Sequence, residues 1–530
     1  MIRDGRNGTF PEALDYDLVI VGAGPAGITM ALELEATGLR IALLESGGEE
    51  YDDATQDLYD GRITGLDRTD LLTSRLRFLG GTSNHWGGHC LPLDPIDFER
   101  GPLNGMSGWP FPRTALEDAY RRAHTYCDLG DFDYDPATSV GTGPDDFLLT
   151  DSEAVDTAVV QQSAPTRFGP KYAAALRRSE TIDLWLWTNV IDIEITADGE
   201  ARSVDTRTLT GMPRRFAARQ LVLACGGIET TRLMMVNNRR NGQSFGDAGG
   251  LLGRCFMDHV EGGAAFLWLD RPTPQKAYWR DDIAGPDGVT RSFVWRISED
   301  VLRRDGLANA QFYLIPFADP AARAREREAN RGWRGLKDMA KWVLGRSEYD
   351  FSFSDSYCQA VTHADAVALD ALGLIDRSET ATRLLLRYEA EQQPERGSYV
   401  GLTDDLDALG MPRSHLHWSP GAADRDSIIA AARLIGIEAG AADLGRLELE
   451  DHFDQPYWDA NTAWHHLGST RMAASPTSGV VDPDCRVHGT QNLFIASGSV
   501  MPSIGRANPT LTIVALSIRL ADHLKALNAT

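Results

Sequence analysis

With 530 residues, 42% of them hydrophobic and 24% charged, the chain can bury a large core spread over roughly two to four domains' worth of mass. Its formal net charge of −24 argues against a surface for nucleic acid or anionic lipid and says little about a substrate. Six scattered cysteines form no C-x-x-C or C-x-x-x-x-C pair, which removes zinc fingers and the dithiol flavoprotein reductases.

The opening MIRDGRNGTFPEALDYD has no apolar core of signal-peptide length and no twin arginine. No later run reaches membrane-spanning length, so the expected location is cytoplasmic. Tyr16 to Val21 is an apolar, β-branched run expected to form a parallel strand buried on both faces. Gly22, Gly24 and Gly27 then occupy the G-x-G-x-x-G positions, which serve a tight turn, a pyrophosphate against the backbone and close helix–strand packing. Pro25 opens a helix with an apolar face at Ile28, Ala31, Leu32 and Leu34, and Gly38 stands where a left-handed cap would end it. Arg40 to Leu44 returns as a second strand. Glu45 at its end can accept hydrogen bonds from ribose hydroxyls, which disfavours NADP. This order predicts a dinucleotide site and leaves FAD and NAD both open.

Leu79 to Cys90, LGGTSNHWGGHC, is a glycine-rich loop whose backbone N–H groups suit phosphate or flavin edges, with His85 and Trp86 standing against something. Leu91 to Arg100 and Ser107 to Thr114 read as linking segments, and Ala115 to Asp128 as an amphipathic helix at the start of a second domain. Ile182 to Ile195 alternates as a strand pair, Gln220 to Gly226 is a buried strand ending in glycines, and Ile228 to Met235 is helical. From about Gly262 to Asn461 long strands broken by loops suggest a substrate layer, with Arg383 to Glu391, Tyr399 to Leu402 and the alternating His415 and His417 among them. Within it Arg323 to Arg346 is a basic, tryptophan-containing stretch, read as a solvated helical insert in preference to a partner or membrane contact. At the end, Asn492 to Ala496 is a strand and Pro509 to Leu527 a long helix, which places Asn508 at its N-cap.

Together these motifs resemble the glucose–methanol–choline (GMC) oxidoreductases, FAD enzymes that oxidise alcohol groups on sugars, alkanols and choline. The resemblance rests on the N-terminal dinucleotide unit, LGGTSNHWGG, VLACGGIETTRLM, LLGRCFMDH, EQQP, HHLGSTRM and NLFIASGSVMPSIGRANPTLTIVAL. It implies an α/β (α+β overall) fold: a Rossmann-like FAD-binding domain from discontinuous segments, 1–92, 186–262 and 463–530, and a substrate domain on a mainly antiparallel sheet, 93–185 and 263–462. By motif, Gly22, Gly24, Gly27 and Glu45 would hold the ADP half, with Ala224 beside them and Val190 meeting the adenine through its backbone. Gly81, Thr82, Asn84 and His85 would line the isoalloxazine with Gly498, Asn508 and Thr510. His85 falls where several members bond histidine to the flavin, but Gly87 and Gly88 depart from the pyranose oxidase-like pattern, so a covalent and a dissociable FAD both stay open.

The family's H-x-x-G puts the active-site histidine at His465, with Gly468 as the glycine, and its second active-site position falls on Asn508. A secondary alcohol gives up hydride, here to flavin N5, only as its hydroxyl proton leaves. An imidazole with an ordinary pKa of about 6.5 can take that proton near neutrality. Asn508 can donate an N–H to the developing alkoxide, whereas His466 is expected to pack or support, and no metal site is expected. The expected function is FAD-dependent oxidation of a CH–OH group, with a secondary hydroxyl of a sugar or glycoside favoured because the loop resembles that of sugar- and glycoside-oxidising members. A non-sugar alcohol and a redox-neutral lyase on the same fold are the alternatives. The expected partners are a small-molecule substrate and oxygen or another electron acceptor, with no nucleic acid and no membrane segment; oligomeric state is not predicted.

Overall fold

The computed structural model describes residues 1–66, 68–101, 103–138, 144–274, 276–279, 283–317, 320–343, 353–372, 381–454 and 460–529. Two large sheets organise the chain. The first has eight strands, ordered Ile2–Asp4, Ile182–Leu186, Ile41–Leu44, Ala13–Val21, Pro213–Leu223, Ala201–Arg207 and Asn189–Ile195, with Leu493–Ile495 also paired to Pro213–Leu223. Its centre is parallel and its last two strands turn antiparallel. Leu18, Val19, Ile20 and the whole of Ile41–Leu44 are buried, as continuous apolar strands between helical layers require. The G-x-G-x-x-G turn follows the first of these, and the helix Pro25–Leu34 packs so closely on it that a Cβ at Gly27 would stand 1.9 Å from the Gly22 carbonyl oxygen.

The second sheet has nine strands and is antiparallel throughout. Its order is Gly445–Leu449, Val260–Thr273, Ala381–Ala390, Ala310–Phe317, Thr290–Ile297, Val155–Gln162 and His89–Cys90, with Ile283–Ala284 and Asn461–Thr462 attached. One face is covered by the helix Ala422–Ala441, whose Ile428, Ala431, Ala432 and Ile435 pack with Leu384, Leu386 and Tyr388. The long C-terminal helix Thr510–Ala529 lies against Pro25–Leu34 and Glu117–Tyr126, joined to the latter by the Tyr120–Thr512 hydroxyl pair at 3.0 Å. Among the described residues no helix is long and apolar enough to cross a membrane.

Two sequence expectations change, and a third extends past the described residues. Ile182–Leu186 and Asn189–Ile195 are both strands but not partners. Trp187, at φ +58, turns the chain between them, and they join different neighbours towards opposite ends of the first sheet. Tyr399–Leu406 and Pro412–Trp418 are not part of the substrate sheet but form a separate three-stranded sheet with Gly61–Gly65, where Thr64 hydrogen-bonds both His415 and His417 at 2.8 Å. The basic stretch is helical over Pro320–Val343, while Arg346 lies outside the described residues.

Because a methyl at Gly27 meets backbone rather than a yielding side chain, Gly27→Ala forces the helix off its strand. The expected result is a melting temperature several degrees lower than wild type, or insoluble protein, measured on the chain without added nucleotide.

Candidate active site

A cavity of about 360 Å³ opens beyond the ends of the central parallel strands. Gly22, Gly24, Glu45, Val190, Ala224, Gly81, Thr82, His85, Gly498, Thr510 and His465 are all among the residues that line it. The turn that shapes it needs its glycines. Gly22 sits at φ +107 with a built Cβ only 2.5 Å from the Ala224 carbonyl oxygen, and Gly24 has no atom within 4 Å of a built Cβ, so its backbone faces open space. Glu45 is buried and already bound on both carboxylate oxygens, to the Ala23 and Gly47 N–H groups at 3.0 Å each. Burial pushes its pKa above the ordinary value. Three helices begin at this cavity, Pro25–Leu34, Gly226–Asn241 and Thr510–Ala529, and present their electropositive ends. The open Gly24 backbone, the bound acid and the converging helix starts fit a dinucleotide with a central diphosphate.

Not every expected contact lines the cavity. Gly27 is committed to helix–strand packing. Asn84 spends its amide on the carbonyls of Leu79 and Gly81, at 2.9 and 3.0 Å, closing its own loop. Asn508 does not cap the last helix: the Pro509 carbonyl takes the first helical bond from Ile513, and the Asn508 amide turns away to donate to Glu389 Oε1 at 2.7 Å. The pull of a buried carboxylate outweighs the capping preference read from sequence.

His465 stands where several constraints meet. Met257 and Leu467 exchange backbone hydrogen bonds, and the His465 N–H donates to Asp258 Oδ1 at 2.8 Å, which aligns the segments carrying His259 and His465. Gly468, at φ +79, permits this approach, since a Cβ there would lie 2.4 Å from the Cys255 carbonyl oxygen. The two imidazoles meet Nδ1 to Nδ1 at 2.9 Å, and His259 Nε2 lies 2.9 Å from the Gly505 carbonyl oxygen. A carbonyl only accepts, so His259 carries its proton on Nε2 and its bare Nδ1 must accept from His465 Nδ1–H. The tautomer of His465 follows: Nε2 is the nitrogen with the free lone pair.

Burial, reinforced by His259, His466 and His89, holds the His465 pKa well below its ordinary value, and burial lowers that of His259 to about 4. Both rings are therefore neutral near pH 7. Glu389 Oε1 lies 3.9 Å from His465 Nδ1, and burial together with Glu261 raises its pKa to about 7. Its second oxygen accepts from Gln311 at 2.9 Å and from the Tyr313 hydroxyl at 3.3 Å. Asn508 Oδ1 is buried with no donor among the described residues, so a bound hydroxyl or ring N–H can complete it. His466 is partly buried against Phe256, and desolvation lowers its pKa to about 3. Trp464 holds φ +62, a conformation costing a bulky residue about 1–2 kcal/mol, and stacks on the exposed His85 with ring centres 6.1 Å apart.

His259, Glu389 and His465 place possible ligand atoms within 4.8 Å of one another, but both His259 nitrogens are engaged in the relay, which makes the group a poorer metal site than a proton path. Sequence reasoning gave no role to His259 and Glu389. The only signals were their places in the family-like MDH segment and just before EQQP, and neither indicates a contact with the other.

Residues 394–517 match the profile described as GMC oxidoreductase. The chain is similar to the fructose dehydrogenase large subunit of Gluconobacter japonicus, 25% identical over 97% of this chain and 98% of that protein. It is also similar to choline oxidase of Arthrobacter globiformis, 33% identical over 97% and 95%. Among solved structures, formate oxidase from Aspergillus oryzae RIB40 superposes with a TM-score of 0.56 at 17% identity, covering 98% of this chain and 100% of that one, a likeness of fold.

Gly24→Ala meets nothing in the protein, so its melting temperature without nucleotide is expected to stay near wild type. The added methyl stands where the diphosphate would approach, so titration with FAD should show binding weakened at least about tenfold.

Proposed function

The chain belongs to the GMC oxidoreductases, FAD-dependent enzymes acting on CH–OH donors, and from that premise we propose that it oxidises a secondary hydroxyl of a sugar or glycoside with His465 as the base. The carrying observation is the His465 tautomer, fixed through His259 and the Gly505 carbonyl so that the lone pair on Nε2 is free in a chain that lines the cavity. The sugar preference is supported by similarity to a fructose dehydrogenase over nearly the whole chain. The flavin supplies a two-electron acceptor for hydride when bound. Gly22, Gly24 and Glu45 would hold its ADP half with Val190 and Ala224, while Gly81, Thr82, His85, Gly498 and Thr510 would flank the ring system. His85 leaves both a histidyl link and a dissociable cofactor open. Acid precipitation distinguishes them: a yellow pellet lost in His85→Ala means the link.

The chain's own groups manage the proton. His465 Nε2 takes it from the substrate hydroxyl, and the resulting imidazolium is stabilised by the Glu389 carboxylate 3.9 Å from Nδ1. Asn508, steered by Glu389, keeps one amide N–H for the developing alkoxide. His466, with an unpartnered Nε2 and a ring packed on Phe256, supports the wall of the cavity. We assign residues 1–92, 186–262 and 463–530 to the FAD-binding unit and 93–185 and 263–462 to the substrate unit. Sheet membership supports this for most strands; the exceptions are Ile182–Leu186 of the first sheet, His89–Cys90 and the start of Val260–Thr273 in the second, and the pairing of Gly61–Gly65 with Pro412–Trp418.

Reconstituted with FAD and mixed anaerobically with sugars, glycosides and simple alcohols, the protein should lose its flavin colour with at least one sugar or glycoside. Colour unchanged by every CH–OH donor, with a substrate nonetheless cleaved, would instead mean a lyase.

His465→Ala should slow flavin reduction by roughly two to four orders of magnitude, the scale for a positioned general base, and His466→Ala much less. Equal losses would mean the wrong histidine carries the chemistry.

The pH profile follows from the two shifts. His465, depressed, stays a neutral base until the pH falls well below 6.5. Glu389, raised to about 7, loses its charge first as pH falls and with it the support for the imidazolium. Wild type should therefore lose rate below about pH 7. Glu389→Gln should start from a lower plateau and lose that limb, keeping only the more acidic one. An unchanged acid limb in Glu389→Gln would show that another group titrates.

A further inference from the structure

The open face of the nine-stranded sheet carries Glu389 at one end and an arginine set among aromatic rings at the other. Along Ala381–Ala390 side chains alternate, so Arg383, Leu385, Arg387 and Glu389 share that face while Leu384, Leu386 and Tyr388 are buried on the opposite one. The register pairs Phe266 with Leu385, and both Trp268 and Phe317 with Arg383. The Arg383 guanidinium stands 4.8 Å from the Phe266 ring centre, 4.9 Å from Trp268 and 5.0 Å from Phe317. Among the described residues no carboxylate pairs with it, although the chain carries 76 acidic residues against 52 basic ones. Trp268 is 44% exposed, its indole N–H held by Glu448 at 2.7 Å. An arginine held among three rings, unpaired and beside an exposed tryptophan is suited to a planar ring that brings its own negative charge.

We propose that Trp268 and Arg383 form a distal subsite for the substrate, taking a planar aromatic group that bears a carboxylate or phenolate and is joined by a spacer to the ring oxidised at His465. The occupant follows from charge complementarity to Arg383 and from continuity with the site, since the same strands carry Glu389 and Arg383 on one face. They lie six positions apart on the strand, about 20 Å at roughly 3.3 Å per residue. The track between is Arg387, paired with Glu261 and over the Tyr313 ring at 5.6 Å, followed by Leu385 beside Ile315. A single hexose cannot span that distance. The substrate class is therefore an aryl glycoside of about two sugar rings, a statement that rests on the sugar reading of the preceding subsection.

The test has two arms, both on the FAD-loaded enzyme. In the first, isothermal titration with 4-hydroxybenzoate should show binding that weakens about tenfold or more in Trp268→Ala and in Arg383→Gln, with Arg383→Lys intermediate. Phenol and cyclohexanecarboxylate, each lacking half of the recognition, should bind more weakly than the aromatic acid. In the second, KM for 4-carboxyphenyl β-cellobioside should rise about tenfold relative to KM for methyl β-cellobioside in Trp268→Ala. No binding of 4-hydroxybenzoate to wild type, or equal binding to wild type and both variants, overturns the proposal. An acid that binds wild type and not the variants, with neither cellobioside oxidised, supports the subsite and overturns the sugar reading instead.

Discussion

A single residue, Gly505, orients the His259–His465 pair through its two backbone groups. Its carbonyl oxygen accepts from His259 Nε2, and its N–H donates to the buried Glu391 at 3.3 Å. Glu391 is fixed in turn by Arg100 and by the Asn309 backbone N–H. The residue can occupy this position only because it is glycine, at φ +55 with a built Cβ 2.2 Å from Asp97 Oδ2. Rotating the peptide that follows it would offer His259 the Arg506 N–H in place of a carbonyl, reverse both tautomers and put a proton on His465 Nε2. The loop is pinned one residue later, where buried Arg506 grips Asp94 at 2.8 and 3.1 Å.

That loop joins the two halves of the molecule. It leaves the first sheet at Leu493–Ile495, crosses to carboxylates borne on or beside the second sheet, and returns as the helix Thr510–Ala529 at the cofactor cavity. Glu389 is reached from the same loop twice: by Asn508 directly, and by Arg506 through Gln311, whose oxygen accepts at 3.2 Å while its nitrogen donates to Glu389. A shift of one half against the other would break the Asn508–Glu389 bond, whereas the His259–His465 contact lies within one half. The loop leading to Thr510 in the cavity wall and the carboxylate beside His465 are therefore tied by one connected set of hydrogen bonds. The three helix starts give this cavity local positive potential inside a chain of net charge −24, which lets an acidic protein hold an anionic cofactor.

The parts legible from sequence were those whose cause is local. The glycine turn shows itself because Gly22 must hold a positive φ and Gly27 must touch a strand, and both requirements act within a few residues. Gly468 is similar, being three residues from His465. His259 and Glu389 were invisible because their meaning lies in pairings 206 residues apart for His259 with His465 and 119 for Glu389 with Asn508. Strand character was readable at Tyr399 and His415, whose strands pair with each other, but the third strand, Gly61–Gly65, joins through Pro412–Trp418, and periodicity carries no information about a partner so far away in the chain. The N-cap reading of Asn508 failed for the same reason, since a capping preference of about 1 kcal/mol yields to a distant buried carboxylate.

The depressed basicity of His465 fits the role of base proposed for it. A histidine with a high pKa would already hold the proton it is meant to take, whereas burial keeps this ring neutral before substrate arrives. What burial costs the imidazolium, Glu389 returns only after the proton has moved, because the carboxylate interacts with the charged ring far more strongly than with the neutral one. The stabilisation is thus weighted toward the product of proton transfer, the state in which the substrate carbon can release hydride. Three donors, from Asn508, Gln311 and Tyr313, keep Glu389 available as the anion despite its burial. The cluster behind His465 thereby turns two unfavourable burials, a neutral base and a reluctant carboxylate, into a difference in free energy between reactant and transition state.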